Sequence, residues 1–280
     1  MARAKASDGG RAQEFALTVQ TSALRARGDR ATPVSEIVAA EVPVALVFNG
    51  RDYAVMMATP ADLEDFAIGF CLTEGIVGGA AEVLRVTASD LVTGIRLAIE
   101  IPEERSAALE GNERHLDGRT GCGLCGISRI EQVLRTLPQL PAALPIPAGA
   151  IGAAQQALAA RQSINKATGA VHAAAFADRK GEIVMLREDI GRHNALDKLI
   201  GAMTRAGQSP ASGFLLITSR CSMEMAQKAV IAGFPLLAAI SAPTSMAITV
   251  AKTAGLGLAA FVRERGFTLY ANPQAVALPA

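Results

Sequence analysis

Two cysteines three positions apart, Cys122 and Cys125 in Thr120-Gly121-Cys122-Gly123-Leu124-Cys125-Gly126, are the densest group of nucleophilic side chains in the sequence. The thiolate is the reactive form of cysteine, and nearby positive charge or a helix N-terminus favours it. Arg114, His115 and Arg119 precede the pair, and its glycines leave the backbone open to a reaction partner. Ser128 and Glu131 are spaced as a capping box for a following helix striped by Ile127, Ile130, Leu134 and Leu137. Several uses of the pair compete. Zinc needs four ligands, so His115, His172, His193 or another cysteine would have to complete the shell. A thioredoxin-like dithiol follows an apolar strand, whereas the polar run NERHLDGRTG precedes this one. The pair can also be purely structural. A loop thiol that accepts a group and passes it on suits the glycines and the polar approach best.

A second constellation is rich in hydroxyls. Thr218, Ser219, Arg220 and Ser222 lie between a strand and a helix, and Ser241, Pro243, Thr244 and Ser245 occupy the equivalent place one unit later. Open α/β sheets bind ligands at such strand ends, and free N–H groups at two helix N-termini with the Arg220 fork make a phosphate cradle. Helix capping is the competing use of the same residues. The run Glu188-Asp189-Ile190-Gly191-Arg192-His193-Asn194 is polar enough to suggest a site, although a single His172 or His193 is more often a hydrogen-bonded structural residue. Arg263, Glu264 and Arg265 follow the last apolar strand and can border the same cleft.

The elements that must position these groups fall into two sets. VPVALVF and RDYAVMMA around Asn49-Gly50 read as a hairpin with a type I′ turn. Thr59-Pro60 reads as the start of a helix running to Thr73 and ending at Gly75, with Cys71 on its buried stripe. Alternation from Glu82 to Ile101 implies further strands of an antiparallel sheet. Pro138, Pro141, Pro145 and Pro147 then mark a connector. Beyond it come a helix at 151–162, strands at 170–177 and 182–187, and a helix from Arg192. Strands at 214–218, 236–241 and 258–262 alternate with helices at 222–232 and 244–254, which predicts parallel pairing. The fold class expected is α/β, in four parts: a disordered tail over 1–12, an α+β domain over 13–137, the connector over 138–148, and an α/β domain over 149–280.

Composition narrows the function. With 27 Lys and Arg against 26 Asp and Glu the net charge is +1, which speaks against a general nucleic-acid binder. Lys228, Pro235 and Pro243 interrupt the most apolar stretch, so no membrane helix is expected, and the first dozen residues lack the apolar block of a secretory signal. Four cysteines in 280 residues are too few for a disulfide scaffold, and a cytoplasmic location follows as the expectation.

The motifs TGCGLCG, VHAAAF, EDIGRHNALDK, EMAQKA and SAPTSMAI occur together, in order, and with them the chain resembles the formate dehydrogenase accessory sulfurtransferase family, the FdhD type. The resemblance spans about Glu41 to Tyr270. It implies an α+β N-terminal domain and a C-terminal domain of cytidine deaminase-like topology. It further implies that persulfide sulfur arrives from a cysteine desulfurase, is held on Cys122 with Cys125 as helper, and is delivered to the molybdenum bis(molybdopterin guanine dinucleotide) cofactor for formate dehydrogenase. Such a protein is a homodimer with no resident metal. The family's cofactor segment falls on Phe261, Val262, Arg263, Glu264, Arg265 and Gly266, where this chain has arginine and glycine exchanged at the end. Cys221 stands where the family has a small residue without a thiol. The same cargo directs attention to Ser219, Arg220, Ser222, Thr244, Ser245, His172 and His193. Two rivals remain: a non-catalytic cofactor chaperone with structural or zinc-binding cysteines, and a zinc deaminase. The second lacks H-x-E and P-C-x-x-C in the C-terminal half.

Overall fold

The computed structural model describes residues 15–109 and 136–278; Cys122, Cys125 and the helix expected after Ile127 lie outside them. In the first part, Thr18–Arg27 (β1) and Arg30–Ala39 (β2) pair only with each other. Val42–Phe48 (β3), Arg51–Ala58 (β4), Arg85–Leu91 (β5) and Gly94–Glu100 (β6) form a sheet in the order β4-β3-β6-β5. Helix Leu63–Thr73 (α1) links β4 to β5, and the short Glu103–Ala107 (α2) follows β6.

In the second part, Ile146–Pro147 (β7), Ala148–Arg161 (α3) and Ser163–Thr168 (α4) lead to His172–Asp178 (β8) and Ile183–Asp189 (β9). Then come Arg192–Arg205 (α5), Gly213–Ile217 (β10), Met223–Ala232 (α6), Leu236–Ala239 (β11) and Ser245–Ala254 (α7). Gly257–Arg263 (β12), Gly266–Ala271 (β13) and Val276–Ala277 (β14) end the chain, β14 pairing with β7. The large sheet runs β13-β12-β11-β10-β8-β9. Its three middle strands β10, β11 and β12 are parallel, as the alternation requires, and the outer strands are antiparallel.

The mixed α/β class agrees with the sequence reading, and three local features differ from it. The smaller sheet is mixed, because β3 and β6 are parallel; α1 is inserted between β4 and β5 and carries the chain across, so the strands are not a simple meander. Residues Ala80–Glu82 form a 3-10 turn, and the strand begins at Arg85. Thr59 does not cap α1. Asp62 stands at that N-cap with φ 53° and no side-chain cap bond, while Thr59 is used in tertiary contacts described below. The Asn49–Gly50 turn is as expected, with φ 46° and 84°. Among the described residues no helix is long and apolar enough to cross a membrane.

Strand alternation sorts the large sheet into two cores. Leu215, Ile217, Leu237, Ala239 and Leu258 face α5, α6 and α7, while Phe214, Leu216, Leu236, Ala238 and Ala259 face α3. Burial on both faces explains why β10 reads GFLLI without a polar residue. The smaller sheet covers its own core with α1, through Leu46, Phe66, Phe70, Leu97 and Ile99.

The two sheets meet where α1 crosses α5, and the crossing is made by backbone. A Cβ on Gly69 would lie 1.8 Å from the Asp197 carbonyl oxygen, and one on Gly201 would lie 1.9 Å from that of Asp65. Only glycine allows this approach. Gly69→Ala is therefore expected to cost about 2–3 kcal/mol in urea unfolding, since the helices must separate and open the core on both sides. An unchanged urea midpoint would mean that the helices do not meet at this distance.

Three ion clusters built on buried carboxylates flank the crossing. Asp65 takes Arg187 (2.7 Å) and Arg205 (2.8 Å). Asp197 accepts two bonds of 2.8 Å from Lys228 and one of 2.7 Å from Thr73. Asp189 accepts from Lys198 (2.6 Å) and from the Thr59 N–H (3.0 Å). Lys198 also donates to the Thr59 carbonyl, and Asn194 donates to that of Met57 (each 2.9 Å). Part of the polar run 188–194 is thus spent on assembly: Asp189 and Asn194 tie the end of β4 to α5. Glu188 accepts from the N–H groups of Ile164 (2.9 Å) and Asn165 (2.8 Å) at the start of α4.

Candidate functional site

Helices α5, α6 and α7 each begin just after a strand, β9, β10 and β11, so three helix N-termini gather at one end of the large sheet. Their unpaired N–H groups make this end electropositive. Cys221 joins two of them through its backbone: its N–H donates to Ala242 (3.0 Å) and its carbonyl accepts from Thr244 (2.9 Å). Its side chain is fully buried, and burial pushes the thiol up to about 12. Cys71 is likewise buried in α1, where burial and the Asp197 charge push it up to about 12. Neither thiol is a nucleophile at neutral pH.

The hydroxyls that capping and ligand binding both claimed are divided between the two uses. Thr244 caps α7, accepting from the Ala247 N–H (3.3 Å). The Thr218 hydroxyl accepts from the Ala173 N–H (2.9 Å) and closes the β8–β10 ladder, and Ser219 donates to the Arg220 carbonyl (3.0 Å). Ser222 occupies the N-cap of α6 without making the cap bond, and its buried Oγ has no hydrogen-bond partner among the described residues. Beside it His193 Nε2 and Glu224 Oε2 stand 3.1 Å apart but out of alignment, so both buried atoms also lack a hydrogen bond among the described residues. Arg220 and Ser245 are exposed at the rim. Glu224 is the member the sequence reading did not single out; its signal was an acidic residue in the first turn of a helix whose N-terminus lines the cleft.

His172, at the start of β8, pairs with Asp189 across the ladder and sits close to Arg192 and His193. Burial, then the charges of Arg192 and His193, hold its imidazole below the ordinary 6.5, with Asp189 opposing. A base with a lowered folded value binds its proton more readily when unfolded. Stability is therefore full above pH 6.5 and falls as the pH drops from there toward the folded value. The thermal midpoint is expected to decline across that window, and His172→Gln is expected to flatten the decline; identical slopes would refute the assignment.

Segment 261–266 is shared between the two faces of the sheet. Phe261, at φ 53° in a bulge of β12, donates its N–H to the Ser241 carbonyl (3.2 Å) and leaves its half-exposed ring beside Tyr270. Val262 is buried in the core under α3. Arg263, Glu264, Arg265 and Gly266 turn toward the start of α3, where they line a groove of about 370 Å³ with Gly152 and Gln156. Arg263 also donates to the Ile240 carbonyl (2.7 Å), which ties this turn to the chain just past β11. A larger cavity of about 540 Å³ lies at the opposite ends of α1, α5 and α6, among Glu74, Met203 and Phe234.

The sequence pattern of the FdhD/NarQ family matches residues 39–277, which takes in both sheets and every residue of the cleft. The chain belongs to the FdhD/NarQ family. It is 54% identical over 250 residues to the sulfur carrier protein FdhD of Xanthomonas euvesicatoria pv. vesicatoria (strain 85-10), covering 89% of each chain. Against the sulfur carrier protein FdhD of Bordetella bronchiseptica it is 46% identical over 259 residues, or 92% of this chain and 94% of the relative. The fold is also that of a candidate formate dehydrogenase accessory protein from Desulfotalea psychrophila. That crystal structure aligns with a TM-score of 0.73 at 23% identity, over 94% of this chain and 100% of the other. For this FdhD/NarQ member, the three helix N-termini and the 261–266 turn lie at one end of the large sheet.

Proposed function

We propose that this chain is a sulfurtransferase that takes persulfide sulfur from a cysteine desulfurase, holds it on Cys122 and delivers it to a molybdenum bis(molybdopterin guanine dinucleotide) cargo destined for formate dehydrogenase. The observation that carries this reading is the burial of the other two described thiols, Cys71 and Cys221, which leaves Cys122 and Cys125 to do thiol chemistry. The names of the relatives, sulfur carrier proteins, support it.

In the loading step the Cys122 thiolate attacks the outer sulfur of the donor's persulfide. The donor S–S bond breaks, the donor leaves as a thiolate, and a new S–S bond makes Cys122 the persulfide. No net oxidant is needed, because sulfane sulfur changes carrier without changing oxidation level.

The cleft suits such a cargo. Orphaned Ser222 Oγ and the N–H groups opening α5 and α6 offer hydrogen-bond donors to phosphate oxygens, with Arg220 at the rim. Glu224, which as a carboxylate can only accept, suits the N–H edge of a guanine rather than a phosphate. His193 Nε2 stands 3.1 Å from it. The cargo, when bound, supplies the metal that receives the sulfur.

The test is mass spectrometry of the protein after incubation with cysteine desulfurase and cysteine. A gain of one sulfur atom on the peptide containing Cys122, removed by reductant, is expected. Stoichiometric zinc together with no sulfur gain would replace this reading with that of a non-catalytic chaperone.

A further inference from the structure

The turn that opens α5 is held by a residue of the smaller sheet's part of the chain. Thr59 lies between β4 and α1 and is fully buried. Its backbone belongs to the joint: the N–H donates to Asp189 Oδ2 (3.0 Å) and the carbonyl accepts from Lys198 (2.9 Å). Any residue but proline would offer those two groups. The hydroxyl has a different partner. Thr59 Oγ1 accepts from the N–H of Ile190 (3.2 Å), which immediately precedes the Gly191 N-cap of α5.

Backbone and side chain of one residue thus hold different things, the joint and the turn. Within the turn the Gly191 N–H is bonded by Asp189 itself (2.7 Å), whereas the Ile190 N–H reaches across to Thr59. Without the hydroxyl that half-buried N–H loses its acceptor, and the turn must shift to find another. It has little slack. A Cβ on Gly191 would already lie 2.9 Å from Asn194 Nδ2 and 3.3 Å from Asp189 Oδ1. A displacement at Ile190 is therefore passed on to Arg192 and His193, the first residues of α5.

That is where the spacing between two helix N-termini is set. His193 Nε2 on α5 stands 3.1 Å from Glu224 Oε2 on α6, and with Ser222 Oγ these buried atoms have no hydrogen bond among the described residues. Groups that must meet a ligand work only when held to within about half an ångström by what lies behind them. We propose that the Thr59 hydroxyl is a positioning group for the cargo site, fixing the start of α5 against the start of α6 for the guanine nucleotide end of the cargo. This rests on the cargo reading above. Thr59 touches no cargo and acts through Ile190.

Calorimetric titration of the full chain with guanosine diphosphate tests it. The parent is expected to bind. Thr59→Val keeps the shape and both backbone bonds but removes the acceptor, and is expected to weaken binding about 10-fold. Thr59→Ser keeps the acceptor and loses a methyl group, and is expected to stay within about 2-fold of the parent. A merely structural role would rank the variants by packing instead, with Thr59→Ser losing at least as much as Thr59→Val. That ranking, or equal affinity of Thr59→Val and the parent, would overturn the proposal. If Thr59→Val loses the native circular dichroism spectrum, Thr59→Ala removes the same acceptor with less volume and carries the same expectation. A parent that binds no guanosine diphosphate while Cys122 still loads sulfur would remove the cargo site, and the positioning role with it, but leave the carrier standing.

Discussion

Protein carrying Cys122→Ala is expected to leave incubation with a cysteine desulfurase and radiolabelled cysteine with no protein-bound sulfur above background. The expectation is severe because neither described thiol, Cys71 or Cys221, can take over. With folded values of about 12, Cys71 and Cys221 carry a thiolate fraction on the order of one in 10⁵ at pH 7, and both side chains are sealed in cores. Cys125→Ala is expected to lower the uptake less, because a helper thiol changes the rate of relay or release and leaves the acceptor in place. Label recovered on a Cys71 or Cys221 peptide, or undiminished uptake by Cys122→Ala, would end the proposal that Cys122 is the carrier.

The second large effect concerns assembly. Lys198→Met is expected to destabilise the fold by about 3–5 kcal/mol, because it strands a buried carboxylate. Lys198 and Asp189 are both fully buried, and the ammonium lies 2.6 Å from Asp189 Oδ2 and 2.9 Å from the Thr59 carbonyl. Without it Asp189 keeps the N–H groups of Thr59 and Gly191 and the Asn194 amide, which hold a carboxylate but do not neutralise it. A thermal midpoint lower by roughly 10 °C is the expected reading for a chain of this size. Adding Asp189→Asn to Lys198→Met is expected to recover part of the loss, since the pair then becomes neutral. If the double variant were no better than the single one, the charge left behind by lysine removal would not be the cause.

The β10–β11–β12 core was legible because strands and helices of ordinary length alternate, with glycines at 233 and 255 just past two of the helices. The hairpin at Asn49-Gly50 was legible for an equally local reason. What escaped was decided by partners distant in sequence. Thr59-Pro60 has the chemistry of a helix start, yet Thr59 is claimed by Asp189, Ile190 and Lys198 about 130 residues later. The polar density at 188–194 suggested a site, and much of it serves as a joint. The β1–β2 hairpin was missed because neither face shows an apolar stripe to signal burial. At the helix N-termini, Ser222 and Thr244 are indistinguishable in sequence; in the fold one hydroxyl, that of Thr244, is satisfied by its helix, and the other has no partner among the described residues.

The glycine crossing of α1 and α5 has a mechanical consequence. Two helices in contact through carbonyl and α-carbon have no side-chain cushion over which to slide, and the Lys198–Asp189 and Lys228–Asp197 pairs would have to break in water-poor surroundings before the sheets could swing apart. A clamshell movement of the two sheets would first have to part this contact. If Cys122 carries sulfur as proposed, its route to the cargo has to leave the α1–α5 contact intact.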